Sequence, residues 1–275
     1  QSYLWGGQRG ANLGTGSDFN TLSLSTMIGN ANHGIYTAGA DSNTVTQSYL
    51  WGGQYGAWLD NGSDFNTLSL STMISANSGF PALYILQSST NSILQSYIQG
   101  STAAVVSGST GTLLGNSIFV ATNTAGDALW LGNGSVNLFV ASSTLRTPAS
   151  GRGLLVDAGN TGVVDLSSVT VTGARFGLQI ATGAAGFALD IDSITFRGLA
   201  SGATAIHFLG GTFVSTINLA GFEDSLLGKN VNGSALDLAA RITMRNHSGP
   251  RTGPSFENDP NSLVDWPAAG LAFHW

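Results

Sequence analysis

The sequence predicts an all-β fold, a single-stranded, right-handed parallel β-helix solenoid of about nine coils with a C-terminal capping segment. A near-identical segment occurs twice, as QSYLWGGQRGANLGTGSDFNTLSLSTMI from Gln1 and as QSYLWGGQYGAWLDNGSDFNTLSLSTMI from Gln47, and a shorter copy, QSYIQG, begins at Gln95. Each copy divides into two similar halves, so the repeating unit is about 24 residues. The apolar residues of that unit alternate with polar ones, which is the period of a strand and not of a helix.

Each unit contains three strand-like runs separated by Gly, Asn, Ser and Asp. The first run is a small residue followed by apolar residues, and it begins at Gly10, Gly34, Gly56, Ala82, Ala104, Ala128, Gly153, Gly177 and Ala205. The second run follows about ten residues later, as in NTLSLS at Asn20 and Asn66, NTVTQS at Asn43 and NSILQS at Asn91. The third run is short, as in Tyr49-Leu-Trp51 and Val169-Thr-Val171. Three strands per unit predict that each strand pairs with its equivalents in the neighbouring coils.

The pattern of Gly34-Ile-Tyr-Thr followed by Asn43-Thr-Val resembles the pectin-lyase-like right-handed β-helix superfamily, over roughly residues 1 to 220. The resemblance implies the fold. It also implies a choice of functions, because phage tailspikes, bacterial surface adhesins and polysaccharide-degrading enzymes share this architecture.

The two ends of the chain differ from the repeat. Gln1-Ser-Tyr-Leu-Trp5 matches a third run, so we expect a further upstream segment or another subunit to cover this end. After Gly228 the repeat fades, and the tail holds four of the six prolines and four of the nine basic residues. We therefore predict a β-helix over 1–227 and a cap or oligomerisation segment over 228–275, folded over the last coil or contacting another subunit.

Composition excludes several function classes. Only 9% of the residues are charged, and nine scattered basic residues against fifteen acidic ones make no stripe that neutralises phosphates, so no nucleic-acid partner is expected. Cysteine is absent, the four histidines lack metal-ligand spacing, and no run of eighteen apolar residues occurs. We expect no cofactor, no bound metal and no membrane insertion. A surface of uncharged polar groups suits an extracellular or virion location.

Carboxylates are the first candidates for chemistry, because glycan cleavage requires an acid and a second carboxylate. Asp190 and Asp192 share one face of a strand, and Asp165 lies one or two coils away. Glu223 and Asp224 are adjacent just before the tail. These five residues are the candidate catalytic groups, although the pattern of the first three favours a solvated face that carries ion pairs. No catalytic motif accompanies them, so the sequence leaves open whether the protein is an enzyme.

Aromatic residues are the candidates for ligand binding. Tyr3, Trp5, Tyr49, Trp51 and Trp58 fall in the first coils, and Tyr3, Tyr49 and Tyr97 recur at one position of the coil. A column of exposed rings offers a flat amphipathic surface that binds sugars or proteins. The alternative explanation of the same pattern is a packed core or a trimer interface.

These features predict a virion or cell-surface rod, most consistent with a tailspike-like receptor-binding protein that recognises a surface glycan or another host receptor. Such a protein is expected to be a homotrimer. The alternatives are an autotransporter-like adhesin and a polysaccharide lyase or hydrolase.

Overall fold

In the computed structural model, the protein consists of parallel strands. The structure describes residues 1–132, 134–181, 187–210, 214–222, 229–233, 241–245, 256–258 and 263–265. These residues contain no α-helix, and therefore no helix that is long and apolar enough to cross a membrane.

Twenty-nine strands make up most of the described part of the chain. In chain order they are Ser2–Gly6, Arg9–Leu13, Thr21–Ser23, Ser25–Gly29, His33–Ala38, Thr44–Thr46, Tyr49–Gly52, Tyr55–Asp60, Thr67–Ser69, Thr72–Ser75, Leu83–Leu86, Ser92–Leu94, Tyr97–Gly100, Ala104–Ser107, Thr110–Gly115, Ile118–Ala121, Asp127–Leu131, Val136–Ala141, Thr144–Arg146, Arg152–Val156, Thr161–Thr172, Phe176–Ile180, Phe187–Arg197, Thr204–Phe208, Val214–Phe222, Lys229–Gly233, Arg241–Arg245, Phe256–Asn258 and Leu263–Asp265.

The strands form two parallel sheets, one of 18 and one of 11 strands. The nine predicted first runs coincide with nine successive strands of the 11-stranded sheet, from Arg9–Leu13 to Thr204–Phe208. The second and third runs form the 18-stranded sheet. The prediction of a parallel β-helix is therefore confirmed. Four further strands lie within 228–275 and pair in parallel with preceding strands, while the boundary at 227 remains a prediction.

A single residue with a positive φ separates the second run from the third run in each coil. The φ values lie between 49° and 74° at Leu24, Gln47, Leu70, Gln95, Asn116, Ser142, Ser168, Ser193 and Leu219. We call this column the bend, and we call the surfaces on either side of it the pre-bend face and the post-bend face. From Thr161 onward the two runs are one continuous strand that retains the bend residue, whereas the sequence predicted two separate strands.

Inward side chains stack into one continuous core. One of its columns takes one residue from each successive coil, and every member has no exposed surface: Met27, Leu50, Met73, Ile98, Phe119 and Leu145. Burial of one such side chain stabilises the fold by about 1.5–3 kcal/mol. Because each coil buries its apolar residues only between its two neighbours, the core grows along the axis of the rod.

Small glycines let the two sheets approach each other at the start of each first run. A Cβ on Gly34 would lie 2.6 Å from the carbonyl oxygen of Gly56 and 2.7 Å from the backbone nitrogen of Trp51. A side chain at Gly34 would therefore require movement of the backbone, which explains why glycine begins this first run.

Polar ladders fix the register of the coils at their turns. Directly after the bend, the backbone N–H of Ser25, Ser48, Ser71, Ser96 and Ser117 donates to the serine hydroxyl of the next coil at 3.1–3.2 Å. At the start of the second run, the N–H groups of Asn20, Asn43 and Asn66 donate to the side-chain oxygen of the next asparagine at 2.8 Å. Buried turn amides therefore find side-chain acceptors where the strand ladder is interrupted.

We expect Ser71→Ala to lower the free energy of unfolding by about 1–3 kcal/mol, because it removes the acceptor of the buried Ser48 N–H. Urea unfolding followed by circular dichroism measures the change. Ser23→Ala, at an exposed position of a pre-bend strand, is the control and should change stability little. Equal losses in the two variants would contradict a special role for the serine ladder.

Candidate functional site

The outward face of the 11-stranded sheet carries most of the ring contacts between neighbouring coils. One residue per coil points outward in a column that follows the register of the strands: Tyr36, Trp58, Tyr84, Val105, Trp130, Leu155, Gln179 and His207. The tyrosine and tryptophan rings of the column are half-buried, so each is partly packed and partly accessible. The column is a long strip that runs parallel to the axis of the rod.

At its N-terminal end the strip widens into an aromatic cluster of His33, Tyr36, Tyr55, Trp58 and Tyr84. The ring centroids of Tyr36 and Trp58 are 5.4 Å apart, those of Tyr55 and Trp58 are 4.9 Å apart, and those of Trp58 and Tyr84 are 5.7 Å apart. Rings at these separations stabilise one another and form a rigid amphipathic surface.

His33 lies at the centre of the cluster and is only 3% exposed. Its ring centroid is 5.1–5.3 Å from those of Tyr36, Tyr55 and Trp58, and neither of its nitrogens has a hydrogen-bond partner. Burial, assisted by the positive charge of Arg9, lowers the pKa of His33 from 6.5 to about 4. The imidazole is therefore neutral at physiological pH and offers one donor and one acceptor.

Polar groups border the aromatic cluster. The guanidinium of Arg9 lies 4.1 Å above the ring of Tyr36, and the hydroxyl of Tyr36 donates to Oδ2 of Asp60 at 3.0 Å. Burial, together with this hydrogen bond, raises the pKa of Tyr36. The indole nitrogen of Trp58 is buried and has no partner. The cluster thus combines flat apolar area with charged groups at its border.

The middle of the strip is a charged network. The Nε of Arg152 donates to Oδ1 of Asp127 at 2.5 Å, its Nη2 donates to Oδ2 at 2.9 Å, and its Nη1 donates to Gln179 at 3.2 Å. Burial raises the pKa of Asp127, the ion pair with Arg152 opposes this rise, and the charge of Asp157 adds to it. The indole N–H of Trp130 donates to Asp157 at 2.7 Å, which fixes that carboxylate beside the aromatic column.

The predicted ligand-binding residues are divided between two surfaces. Trp58 belongs to the aromatic cluster, whereas Tyr3, Trp5, Tyr49 and Trp51 lie on the post-bend face of the 18-stranded sheet. The tyrosines do share one column, but Thr26 separates Tyr3 from Tyr49 and Thr72 separates Tyr49 from Tyr97. They therefore do not make a continuous stack of rings.

Three of the predicted catalytic carboxylates lie together on the pre-bend face. Asp165 and Asp190 are register partners in neighbouring coils, Asp192 is two residues further along, and Asn218 donates to Asp192 at 2.9 Å. Burial and the charges of Asp190 and Asp192 raise the pKa of Asp165. Within the described residues, no group of three or more His, Cys, Asp or Glu side chains is arranged to hold a metal ion. Glu223 and Asp224 lie outside the described residues.

Sequence reasoning missed most of the strip, including Arg9, His33, Asp127, Arg152 and Asp157. A signal was present, because the third residue of the first runs Gly34-Ile-Tyr, Gly56-Ala-Trp, Ala82-Leu-Tyr and Ala128-Leu-Trp is aromatic. Comparison of the third residues of the aligned runs would have identified the column.

Comparisons with known proteins agree with this architecture. A family model described as "Right handed beta helix region" matches residues 33–196. Among solved structures, a polygalacturonase from Erwinia carotovora ssp. carotovora is similar with 12% identity and a TM-score of 0.53, over 92% of this chain and 85% of that chain. The plasmid-mediated fluoroquinolone resistance protein QnrB1 aligns with 12% identity over 91% of this chain and 92% of that chain, but its TM-score of 0.20 supports no argument. No curated protein sequence matches the chain.

We expect His33 to make the fold sensitive to acid. Because the pKa of His33 is lower in the folded chain than in the unfolded chain, its stabilising contribution is present above pH 6.5 and is lost as the pH falls toward 4. The loss amounts to about 3 kcal/mol. Urea unfolding between pH 7.5 and about 4 should show this decrease in the wild type but not in His33→Phe. Parallel pH profiles in the two proteins would contradict the assignment.

Proposed function

The chain belongs to the right-handed beta helix region family, and on that premise we propose that it is a surface rod that binds a polysaccharide along the outward face of its 11-stranded sheet. In this proposal the protein is a tailspike-like receptor-binding protein of a virion, with an autotransporter-like adhesin of a cell surface as the alternative. The aromatic strip carries the proposal.

The spacing of the strip supports a linear glycan. Neighbouring coils in a parallel sheet are about 4.8 Å apart, which is comparable to the length that one pyranose ring occupies in an extended polysaccharide. Tyr36, Trp58 and Tyr84 occupy three consecutive coils, and Trp130 follows two coils further on. A glycan that lies parallel to the rod meets a ring at successive sugar units.

The chemistry of the strip supports the same ligand class. Half-buried rings supply flat apolar area, and Arg9 and Asp60 supply charged groups beside it. Sugars present both apolar C–H faces and hydroxyl groups, so they complement rings interspersed with such groups.

A hydrolase acting on the same strip is the second candidate. Burial raises the pKa of Asp127, the ion pair with Arg152 opposes this rise, and the charge of Asp157, which accepts the indole N–H of Trp130, adds to it. Glycan hydrolysis uses two such carboxylates, one with a raised pKa that acts as the acid. The structurally similar polygalacturonase is compatible with this candidate, although at 12% identity the likeness shows only the fold.

We expect Trp58→Ala and Trp130→Ala each to weaken glycan binding at least about tenfold, because each removes a ring from the strip. Affinity electrophoresis in gels cast with polygalacturonate, alginate or hydroxyethyl cellulose measures the binding. Trp51→Ala, on the post-bend face, is the control and should bind like the wild type. If the retardation of the protein in the gel is lost in Trp51→Ala but kept in Trp58→Ala, the binding site lies on the 18-stranded sheet instead.

For the hydrolase candidate, the wild type should release reducing ends from one of these polymers, and Asp127→Asn and Asp157→Asn should each abolish the release. Asp165→Asn and Asp190→Asn, on the pre-bend face, are the controls and should retain activity. No release by the wild type would exclude this candidate for these polymers and would leave the binding proposal intact.

A further inference from the structure

The post-bend face of the later coils contains a groove that lies on a different sheet from the glycan strip. Arg146, Thr172 and Arg197 line this groove, which has a volume of about 550 Å³ and which we call the arginine groove. Sites for small molecules commonly measure about 300–1,000 Å³. We propose that the arginine groove binds the tetrahedral oxyanion of a phosphate or sulfate ester carried by a sugar. This proposal does not depend on the glycan strip.

The two arginines are a departure from the repeat. In the six preceding coils, the same outward column of the post-bend face carries uncharged residues: Trp5, Ile28, Trp51, Ile74, Gln99 and Val120. In the next three coils the column continues as Arg146, Thr172 and Arg197. The repeat therefore forms this column without charge, and the architecture of the coil does not require an arginine in it.

The core holds the three side chains of the column in register. Each follows a residue that has no exposed surface in a line of strand partners, which are Leu145, Val171 and Phe196. Neighbouring strands lie about 4.8 Å apart, so each arginine is one coil away from Thr172. The long side chain of an arginine spans that distance. Both guanidinium groups therefore reach a single ligand group placed over Thr172.

The charge of the groove is not neutralised from within the described part of the chain. No acidic side chain is among the described residues that line the groove. Arg146 is exposed and makes no hydrogen bond, ion pair or ring contact with a described residue. By contrast, Arg152 pairs with Asp127, and Arg9 lies over the ring of Tyr36. In a chain with a net charge of -6, Arg146 thus offers its donors to an external anion.

The donors of the groove match a tetrahedral oxyanion better than a carboxylate. Two guanidinium groups and the hydroxyl of Thr172, which makes no hydrogen bond within the described residues, are three separate donor groups. A phosphate or sulfate ester presents three terminal oxygens, whereas a carboxylate presents two. A planar guanidinium also pairs with such oxygens through two parallel hydrogen bonds. The arrangement therefore favours an ester oxyanion over a uronic acid.

Two glycines keep one end of the groove open. Gly173 and Gly198 directly follow Thr172 and Arg197, have φ values of 81° and 57°, and line the groove. A Cβ on Gly173 would lie 2.0 Å from the carbonyl oxygen of Thr147, so only glycine fits that position without movement of the backbone. Because neither residue adds a side chain, the sugar that carries the ester has room beside the arginines.

Isothermal titration calorimetry of the full chain at low ionic strength, with glucose 6-phosphate, glucose 6-sulfate and glucuronate, tests the proposal. We expect at least one ester to bind at millimolar concentrations, and glucuronate to bind at least about tenfold more weakly than that ester. Tighter binding of the phosphate ester would identify a phosphorylated sugar as the ligand, and tighter binding of the sulfate ester a sulfated one. Absence of binding by both esters, or glucuronate binding as tightly as they do, would overturn the proposal.

Variants of the groove locate the bound ester. Arg146→Ala should weaken its binding at least about tenfold and leave the melting temperature unchanged, because this exposed side chain has no partner among the described residues. Thr172→Val should also weaken binding. Arg146→Ala combined with Asp190→Asn is the charge-matched control, since the second substitution restores the net charge of -6 on the pre-bend face. This double variant should bind as weakly as Arg146→Ala, and recovery of binding in it would contradict a specific site.

Discussion

The register between neighbouring coils is the constraint on which the rest of this structure depends. Parallel strands can follow one another for the whole rod only if every turn closes with the same geometry, and the bend residues with φ near 50° provide that geometry once per coil. At the turns, where the strand ladder is interrupted, serine and asparagine side chains accept the backbone N–H of the preceding coil. Because these groups are buried, a coil out of register would leave them unsatisfied.

A fixed register also explains why the surface is organised in columns. A residue type that recurs at one position of the repeat becomes a row of side chains about 4.8 Å apart along the axis. On the 11-stranded sheet such a row is the aromatic strip that begins at Tyr36. In the turn before the second run, Asp18, Asp41 and Asp64 form another row, in which the carboxylate oxygens of Asp18 and Asp41 accept the N–H of the next aspartate. That row is explained by turn geometry, and it shows that a regular column of carboxylates is not by itself a catalytic site.

Most of the architecture was predictable from the sequence, and the site was predictable only in part. The repeat located all nine first runs because burial imposes the same small and apolar residues on each coil. Trp58 was identified, but its partners Tyr55 and His33 were not, since a tyrosine and a histidine 22 residues apart become neighbours only through strand pairing. The grouping of Asp165 with Asp190 agrees with the pairing of their strands, whereas Arg197, on the same strand as Asp190, lies beyond the bend on the post-bend face.

The sequence by itself determined the fold class, the period of the coil and which side chains fill the core, because these follow from apolar alternation and turn residues within one repeat. Only the tertiary structure decided which outward residues share a face. The single bend residue turns the chain between the second and third runs, so Asp192 and Arg197 point to different surfaces although only Ser193, Ile194, Thr195 and Phe196 separate them. Alternation along a strand says whether a side chain points in or out, but the angle between two outward surfaces depends on backbone geometry that the apolar pattern does not encode.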